Sequence, residues 1–339
     1  MAGVTAGLMV TVGIGILVSF AFEPESLNRS NDGLLIVANK GDHSISIVDP
    51  YAGRETDRIV VSGITGHEVA ASPDGGMVVV PIYGNSGVGQ PGTDGQSLDV
   101  IDLGSRRLAA TIQFPKPARP HCPVFGPDGN LYVTTELTES IAVVDPKTLK
   151  ITDAIPTGQR ESHMLAITRD GRRAFTSNVH AGTVSAIDLV SKKVVAVIPI
   201  SKVAQRIALT PDDRFAFTAD QASPRLAVID TAANAVSAWI SLPGIGYGTC
   251  ATPDGRRLIV ALVNINKIGV VDLKSMSLTS TIDVPKAPQE VLVRPDGRVA
   301  YVSCDASRKV VALNLSTLML EKTIEVGPGA DGLAWAAGR

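Results

Sequence analysis

The sequence has few of the charge runs, aromatic residues, histidines and cysteines that characterise several large functional classes. Its 339 residues include only 4% aromatic side chains and five histidines, with a net charge of -2 and no run of like charges. A nucleic-acid-binding protein normally has a basic face, so no nucleic acid is expected as a partner. The three cysteines, Cys122, Cys250 and Cys304, are irregularly spaced and contain no CxxC pair, which excludes a disulfide framework.

Short catalytic and cofactor motifs are missing as well. The stretch HEVAA at 67–71 lacks the second histidine of a zinc-protease HExxH motif, and no GxSxG is present. The glycine-rich GNSGVG at 84–89 does not lie between a strand and a helix, so it is not a nucleotide-binding loop. Without a CxxCH motif, we expect no covalent haem.

The N-terminus has the longest uncharged run. Residues 3–22 lack any charge and are numerous enough to span a bilayer as a helix. No Lys or Arg precedes Arg29 and no Ala-x-Ala site is present, so an uncleaved anchor fits as well as a cleaved signal. The alternative is a buried strand or helix of the fold. We expect 1–22 to be a signal or membrane-anchor segment, the only membrane contact, and 23–33 a linker. The body would then be periplasmic or otherwise extracytoplasmic.

A turn signal repeats along the rest of the chain. The aspartates of SPDG, GPDG, TRDG, TPDD, TPDG and RPDG are Asp74, Asp128, Asp170, Asp212, Asp254 and Asp296. The first interval is 54 residues and the next four are 42, with the excess in a glycine-rich segment at 83–97. A second marker, the Asp or Asn that ends runs such as VVDP, counts seven units: Asp49, Asp102, Asp145, Asp188, Asp230, Asp272 and Asn314.

Each unit predicts four β-strands, because β-branched residues and alternation dominate and no helical periodicity appears. A period in the low forties with four strands per unit is typical of a β-propeller. We predict an all-β fold over 34–339, a seven-bladed β-propeller of four-stranded antiparallel blades. One blade would be closed by N- and C-terminal strands, from 34–40 and 330–338.

The repeat resembles a known group of proteins. A PDG turn, a strand such as AFTSN at 174–178, and then a run ending in V/I-D are similar to the YVTN-type seven-bladed propellers. This resemblance implies likeness to surface-layer and periplasmic propellers and to the propeller subunits of some amine dehydrogenases. It covers 34–338 and implies the fold, but no single activity, because this fold carries many.

Three of the five histidines share one register. His67, His121 and His163 each lie seven residues before a turn aspartate, at the start of the predicted innermost strand of a blade. The same position in the other units holds Gln205, Tyr247, Gln289 and, by the repeat period, Asp331. All seven side chains can form hydrogen bonds, so we predict a polar ring at one rim of the central channel.

We predict a small-molecule site on this rim. His67, His121 and His163 would bind Zn, Cu, Fe or Ni with an open position for hydrolytic, lyase or redox chemistry. The predicted catalytic residues are Glu136, Glu68, Arg206 and Tyr247, and the predicted substrate-binding residues are Gln205, Gln289, Asp331, Arg160, Glu161 and His180.

Two alternatives remain open at this point. A small organic anion could be held by the histidines with Arg160 or Arg206, without a metal, and Tyr247 could be only a wall residue. The protein could also be a non-catalytic scaffold, metal carrier or accessory subunit of a periplasmic redox enzyme. The segment at 83–97 would close over a buried pocket in an enzyme and form a flat exposed surface in a docking protein. We expect a monomer in either case.

Overall fold

The computed structural model describes residues 1, 3, 33–64, 66–85 and 87–338. The predicted signal or anchor at 1–22 and linker at 23–33 lie outside these residues, apart from residues 1, 3 and 33. Across the described ranges, no helix has both the length and the apolar character needed to cross a membrane. Helical structure there consists of two short 3-10 turns, Glu136–Thr138 and Asp305–Ser307.

The strands form seven four-stranded antiparallel sheets, which are the seven predicted blades. From the innermost strand outward, blade 1 consists of β28 (Ala330–Ala336), β1 (Leu34–Asn39), β2 (Ser44–Asp49) and β3 (Arg54–Val60). Blade 2 consists of β4 (Ala70–Ala71), β5 (Met77–Gly84), β6 (Asp94–Asp102) and β7 (Arg107–Gln113). Blade 3 consists of β8 (Pro120–Phe125), β9 (Leu131–Thr135), β10 (Ser140–Asp145) and β11 (Lys150–Pro156).

The remaining blades follow the same order. Blade 4 consists of β12 (Ser162–Ile167), β13 (Arg173–Asn178), β14 (Thr183–Asp188) and β15 (Lys193–Pro199). Blade 5 consists of β16 (Ala208–Leu209), β17 (Phe215–Asp220), β18 (Arg225–Asp230) and β19 (Ala235–Ser241). Blade 6 consists of β20 (Gly246–Ala251), β21 (Arg257–Leu262), β22 (Lys267–Asp272) and β23 (Ser277–Asp283). Blade 7 consists of β24 (Pro288–Val293), β25 (Val299–Cys304), β26 (Lys309–Asn314) and β27 (Leu320–Glu325).

The ring of blades is closed by the two ends of the propeller. Each innermost strand contacts the next, and β24 of blade 7 contacts β28 of blade 1. Strand β28 pairs antiparallel with β1, with Leu34 opposite Ala336 and Asn39 opposite Ala330. The predicted fold and the predicted terminal closure are therefore confirmed. Closure of the ring surrounds the short inner edge of each blade with neighbouring blades, which protects these edges from pairing with another chain.

The core lies between neighbouring blades. The second and third strands are buried on both faces, as in β21, where every residue after Arg257 is buried. The outer strands alternate between exposed and half-buried residues, as in β11, because one of their faces meets solvent. The inner strands are thereby held at a fixed height around the channel.

The turns that contain the repeated aspartates join the first two strands of a blade, at the rim opposite the polar ring. In blade 4 the Thr168 hydroxyl donates to Asp170 at 2.7 Å, and Asp170 also accepts the backbone N–H of Arg172 at 3.0 Å. Gly171 follows with a φ of +68°, a conformation that favours glycine. The repeated turn aspartates therefore serve to reverse the chain between strands, and no other role is needed to explain them.

The inserted segment is shorter as a loop than predicted. Strand β5 runs to Gly84 and β6 begins at Asp94, so only 85–93 lies between them. The ends are joined because Asn85 N–H donates to the Thr93 carbonyl at 3.1 Å and Thr93 N–H donates to Asn85 Oδ1 at 2.7 Å. We call residues 85–93 the rim loop.

Candidate functional site

The seven residues of the predicted ring lie at one height. The residue before each one is paired with the last residue of the second strand of its blade, or in blade 2 with a residue two positions before the end. The pairs are Gly66 with Ile82, Pro120 with Thr135, Ser162 with Asn178, Ala204 with Asp220, Gly246 with Leu262, Pro288 with Cys304 and Ala330 with Asn39. This common register puts the ring at the rim where the second strands end. Gln289 is buried there in blade 7.

The three histidines lie close together. The rings of His67 and His121 have centroids 5.6 Å apart, and those of His121 and His163 are stacked with centroids 3.5 Å apart. Tyr83, at the end of β5, contacts both His67 and His121 at centroid distances of 4.9 and 5.4 Å. The histidines therefore meet one another mainly through ring faces and edges.

Glu136 connects the histidines to the rim loop. It is 3% exposed, in the 3-10 turn after β9, and its Oε1 lies 2.5 Å from His163 Nδ1. Tyr83, just before the loop, donates its hydroxyl to Glu136 Oε2 at 2.7 Å. His163 Nε2 is 3.4 Å from Gln205 Nε2, and Gln205 in turn donates to the Tyr247 hydroxyl at 2.9 Å.

Arg206 forms a buried charge cluster on the other side of the channel. Its guanidinium, from blade 5, donates to Glu68 of blade 2, Glu290 of blade 7 and, at 3.1 Å, Asp331 of blade 1. It also lies over the Tyr247 ring, 4.8 Å from the centroid. One cation from one blade is thus shared among three carboxylates from three other blades.

Lys40 adds a second cation at the edge of this cluster. It contacts Asp331 at 3.1 Å and Asp305 at 2.7 Å. Asp331 also lies 3.8 Å from His67 Nδ1. The cluster and the histidines are therefore contiguous around the channel.

Burial sets the protonation of these groups. Burial raises the pKa of Glu68 to about 8, despite the opposing charge of Arg206. Burial opposes the ionisation of Asp331 too, but Lys40 and Arg206 outweigh it and hold the pKa of that carboxyl below its ordinary value. Burial also lowers the pKa of His67, and it lowers that of His121 far below the usual range, so His121 is neutral at physiological pH.

Arg160, Glu161 and His180 belong to a second part of the rim, between blades 3 and 4. They line a cavity of about 630 Å³ together with Gly89 and Gln90 of the rim loop. An adjoining cavity of about 360 Å³ shares several of these residues and reaches Arg119 and Glu136. We call the two together the rim cavity. The predicted substrate-binding residues thus separate into a channel group and a rim-cavity group.

A histidine–carboxylate pair forms one wall of the rim cavity. His180 Nδ1 lies 2.6 Å from Glu161 Oε2, and the His180 backbone N–H donates to the same carboxylate at 3.1 Å. The rim loop approaches this pair through Gly89, which has a φ of +66°. A Cβ at Gly89 would overlap Glu161 Oε1 and lie 2.8 Å from His180 Nδ1, so the pair or the loop would have to shift, and the positive φ also favours glycine.

Arg119 holds the rim loop in place, although it was not among the predicted site residues. Its Nε donates to Asp94 at 2.6 Å and its Nη2 to the Gln90 carbonyl at 2.7 Å, so one buried guanidinium joins the rim loop to the start of β6. Its backbone N–H donates to the Gly95 carbonyl at 2.9 Å. Its position two residues before His121 is the sequence feature that could have identified Arg119 as a site residue. Tyr83, Lys40 and Gly89 were also missed, because each acts through a contact between blades.

The donor atoms of the three histidines do not converge. His163 Nδ1 is engaged by Glu136, while His121 is 2% exposed and its Nδ1 has no hydrogen-bond partner among the described residues. Within those residues no group of three His, Cys, Asp or Glu side chains is arranged to hold a metal ion. Stacked imidazoles present ring faces to each other, whereas metal coordination requires their nitrogen lone pairs to point at one position.

Comparison with known protein families identifies one family that matches this chain. Residues 127–332, more than half of the chain, match the family model described as "Cytochrome D1 heme domain". No curated protein matches the chain.

Several solved structures share the fold. A chain of hydrazine synthase from Kuenenia stuttgartiensis has a TM-score of 0.71 at 18% identity, covering 84% of this chain and 93% of that one. A functionally unknown protein from Desulfotomaculum acetoxidans has a TM-score of 0.74 at 16% identity, covering 91% and 100%. Dihydro-heme d1 dehydrogenase NirN, in complex with DHE, has a TM-score of 0.65 at 16% identity, covering 90% and 75%. At these identities the likeness shows the fold alone.

These comparisons correct the predicted cofactor. We expected a transition metal on His67, His121 and His163 and no covalent haem, whereas the matched family is a haem domain and the NirN structure is a DHE complex. Haem, rather than a bare metal ion on three histidines, is the cofactor class to which the family match points. The predicted propeller is confirmed, and the YVTN label is not.

Proposed function

The chain belongs to the Cytochrome D1 heme domain family, and on that premise we propose that it binds a haem-class tetrapyrrole in the rim cavity. The proposed role is redox-related binding of a small molecule. The setting outside the cytoplasm, favoured by the uncharged segment at 3–22, is part of the same proposal.

The available space favours the rim cavity over the histidine ring. Contacting rings among His67, Tyr83, His121 and His163 have centroids 3.5–5.6 Å apart, so these rings fill the volume between them. A planar macrocycle cannot enter there without displacing them. The rim cavity, at about 630 Å³ in its larger part, lies within the size range of cofactor sites, which is roughly 300–1,000 Å³.

The His180–Glu161 pair is the observation that carries the proposal. A carboxylate can only accept, so His180 Nδ1 carries the hydrogen and Nε2 keeps its lone pair for a ligand. Histidines that bind a metal commonly donate their other N–H to a carboxylate, which fixes the tautomer and raises the basicity of the ligating nitrogen. His180 is therefore the residue that would bind the iron of a haem in this cavity. When bound there, haem iron supplies one-electron redox chemistry.

The charges of the cavity also suit a tetrapyrrole that carries carboxylates. Arg160 is exposed at both parts of the cavity and has no hydrogen-bond or ion-pair partner within the described ranges. A guanidinium pairs well with a carboxylate, often through two parallel hydrogen bonds. Arg160 would hold a carboxylate of the ligand, while Gly89 and Gln90 of the rim loop would cover one face of it.

Titration of the full chain with haemin, followed by visible absorption, tests the proposal. We expect saturable binding by the wild-type protein and its loss in His180→Asn. Glu161→Gln should weaken the affinity by about 10- to 100-fold, since it removes the group that orients His180. His43→Asn is the matched control, because His43 is an exposed loop histidine outside the cavity lining and asparagine tolerates its φ of +56°.

Two results would contradict the proposal. The absence of saturable binding by the wild-type protein would remove the proposed function. Equal affinity and equal spectra for wild type, His180→Asn and His43→Asn would remove the rim cavity as its site.

A further inference from the structure

A chain of hydrogen bonds leads from the rim cavity into the channel. Glu136 lines the smaller part of the cavity, accepts the Tyr83 hydroxyl at 2.7 Å and is paired with His163 Nδ1 at 2.5 Å. His163 Nε2 faces the amide of Gln205 at 3.4 Å, and that amide donates to Tyr247 at 2.9 Å. A buried imidazole therefore lies one hydrogen bond behind the cavity wall.

The chain defines the tautomer of His163. The Glu136 carboxylate can only accept, so His163 Nδ1 carries the hydrogen and Nε2 accepts from the Gln205 amide. An added proton would form an N–H bond at Nε2. Rotation of the Gln205 amide would then present its oxygen to that N–H, and the Tyr247 hydroxyl could donate to the same oxygen. The site can therefore hold a further proton without leaving it unpaired.

The charges around the pair favour that proton once an anion enters the cavity. Glu136 is buried, and the Arg119 guanidinium is already engaged by Asp94 and the rim loop. His121, stacked on His163, is neutral because burial holds its pKa far below the usual range, so it does not repel a charged His163. The titratable and charged groups that face the pair or share its cavity are Tyr83, His67, His121, Tyr247, Arg206, Arg119, Glu139, Arg160 and Glu161.

A carboxylate of the ligand would add negative charge beside the buried carboxylate of Glu136. Like charges in such a place favour protonation of the neighbouring group. On the basis of the proposed function, we propose that binding of a carboxylate-bearing tetrapyrrole in the rim cavity takes up one proton from solvent at His163 Nε2. The His163–Glu136 pair changes from a net charge of minus one to a neutral ion pair, and this change makes affinity depend on pH.

Isothermal titration calorimetry of the full chain with haemin, in two buffers of different ionisation enthalpy at one pH, measures the proton directly. We expect uptake of about one proton per bound haemin in the wild-type protein. Glu136→Gln should abolish the uptake because it removes the counter-ion of the imidazolium. Gln205→Met should reduce it independently, since methionine offers no good acceptor for the new N–H. Melting temperatures check that each variant folds.

Glu139→Gln is the matched control. Glu139 also lines the cavity, but its side chain is exposed and has no hydrogen bond to His163, so uptake should persist. Binding with no dependence of the heat on the buffer would overturn this inference and leave the proposed function standing. Equal uptake in wild type, Glu136→Gln and Gln205→Met would overturn the assignment to His163. No saturable heat with wild type would overturn the proposed function and this inference together.

Discussion

Arg206 of blade 5 donates a hydrogen bond to Asp331 of blade 1, 3.1 Å away across the channel. Asp331 lies on β28, the strand that closes the propeller, and the same guanidinium is bonded to Glu68 and Glu290. The centre of the channel is therefore tied directly to the closing strand. This cluster acts on the whole ring of blades, because it joins four of them.

Removal of the guanidinium should be severely destabilising. In Arg206→Met, the buried carboxyl groups of Glu68, Glu290 and Asp331 would lose the guanidinium that donates to all three. Breaking a buried ion pair from one side, as at Asp331, costs about 3–5 kcal/mol. Chemical denaturation of the full chain measures this loss. Arg58→Met is the control, since Arg58 makes exposed contacts with Glu55 and Asp42 and should cost under about 1 kcal/mol. Equal losses in the two variants would contradict a central role for Arg206.

The same cluster should make stability depend on pH through Glu68. Its pKa is raised by burial to about 8 from an ordinary 4.5, so the folded state binds this proton more tightly than the unfolded state does. The resulting stabilisation is complete below the unfolded pKa and is lost as pH rises through the folded pKa. The contribution to the slope is at most about 1.4 kcal/mol per pH unit.

Denaturation of wild type and Glu68→Gln between pH 5 and pH 9 tests this contribution. We expect the free energy of unfolding to fall with rising pH in the wild-type protein, and to fall less steeply in the variant, which has no proton to lose. Parallel curves for the two proteins would contradict a protonated Glu68 in the folded state.

The fold could be predicted from the sequence because the residues of each repeat determine the turn and the strands of one blade. The turn aspartates recur every 42 residues, and the unpaired run at 330–338 predicted the partner of β1. The polar ring followed from the same register, as the common pairing of Pro120 with Thr135 and Ser162 with Asn178 illustrates.

The chemistry of the site could not be predicted in the same way. A shared register places His67, His121 and His163 at one rim, but it does not say whether imidazoles meet through lone pairs or through faces. In the structure His121 and His163 stack, and His67 is tilted against His121. Arg119 and Tyr83 acquire their roles only from contacts with another blade or with the rim loop. Such contacts depend on how neighbouring blades pack, which no repeat in the sequence encodes.

Gly89 should be required for the closed position of the rim loop. Gly89→Ala adds a Cβ that overlaps Glu161 and crowds His180, so the rim loop should move away from this pair. Haemin affinity should then fall by at least roughly tenfold, as it does when a group that orients a metal ligand is removed. Gly255→Ala is a close control: its φ of +68° matches the +66° of Gly89, but nothing lies within 4 Å of the added Cβ.

Both glycine variants should lose a similar, small amount of stability, because alanine is strained at positive φ in each. Haemin titration beside thermal denaturation separates the two effects. An unchanged affinity in Gly89→Ala would contradict the role of the rim loop as a cover of the ligand.

The position of the iron tests the central claim most directly. Crystals of the full chain grown with haemin, with diffraction data collected on both sides of the iron absorption edge, would locate the metal from its anomalous signal. Our account predicts one iron position beside His180 Nε2, in the cavity between blades 3 and 4. An iron peak among His67, His121 and His163, or no ordered iron in crystals of a saturated complex, would contradict it.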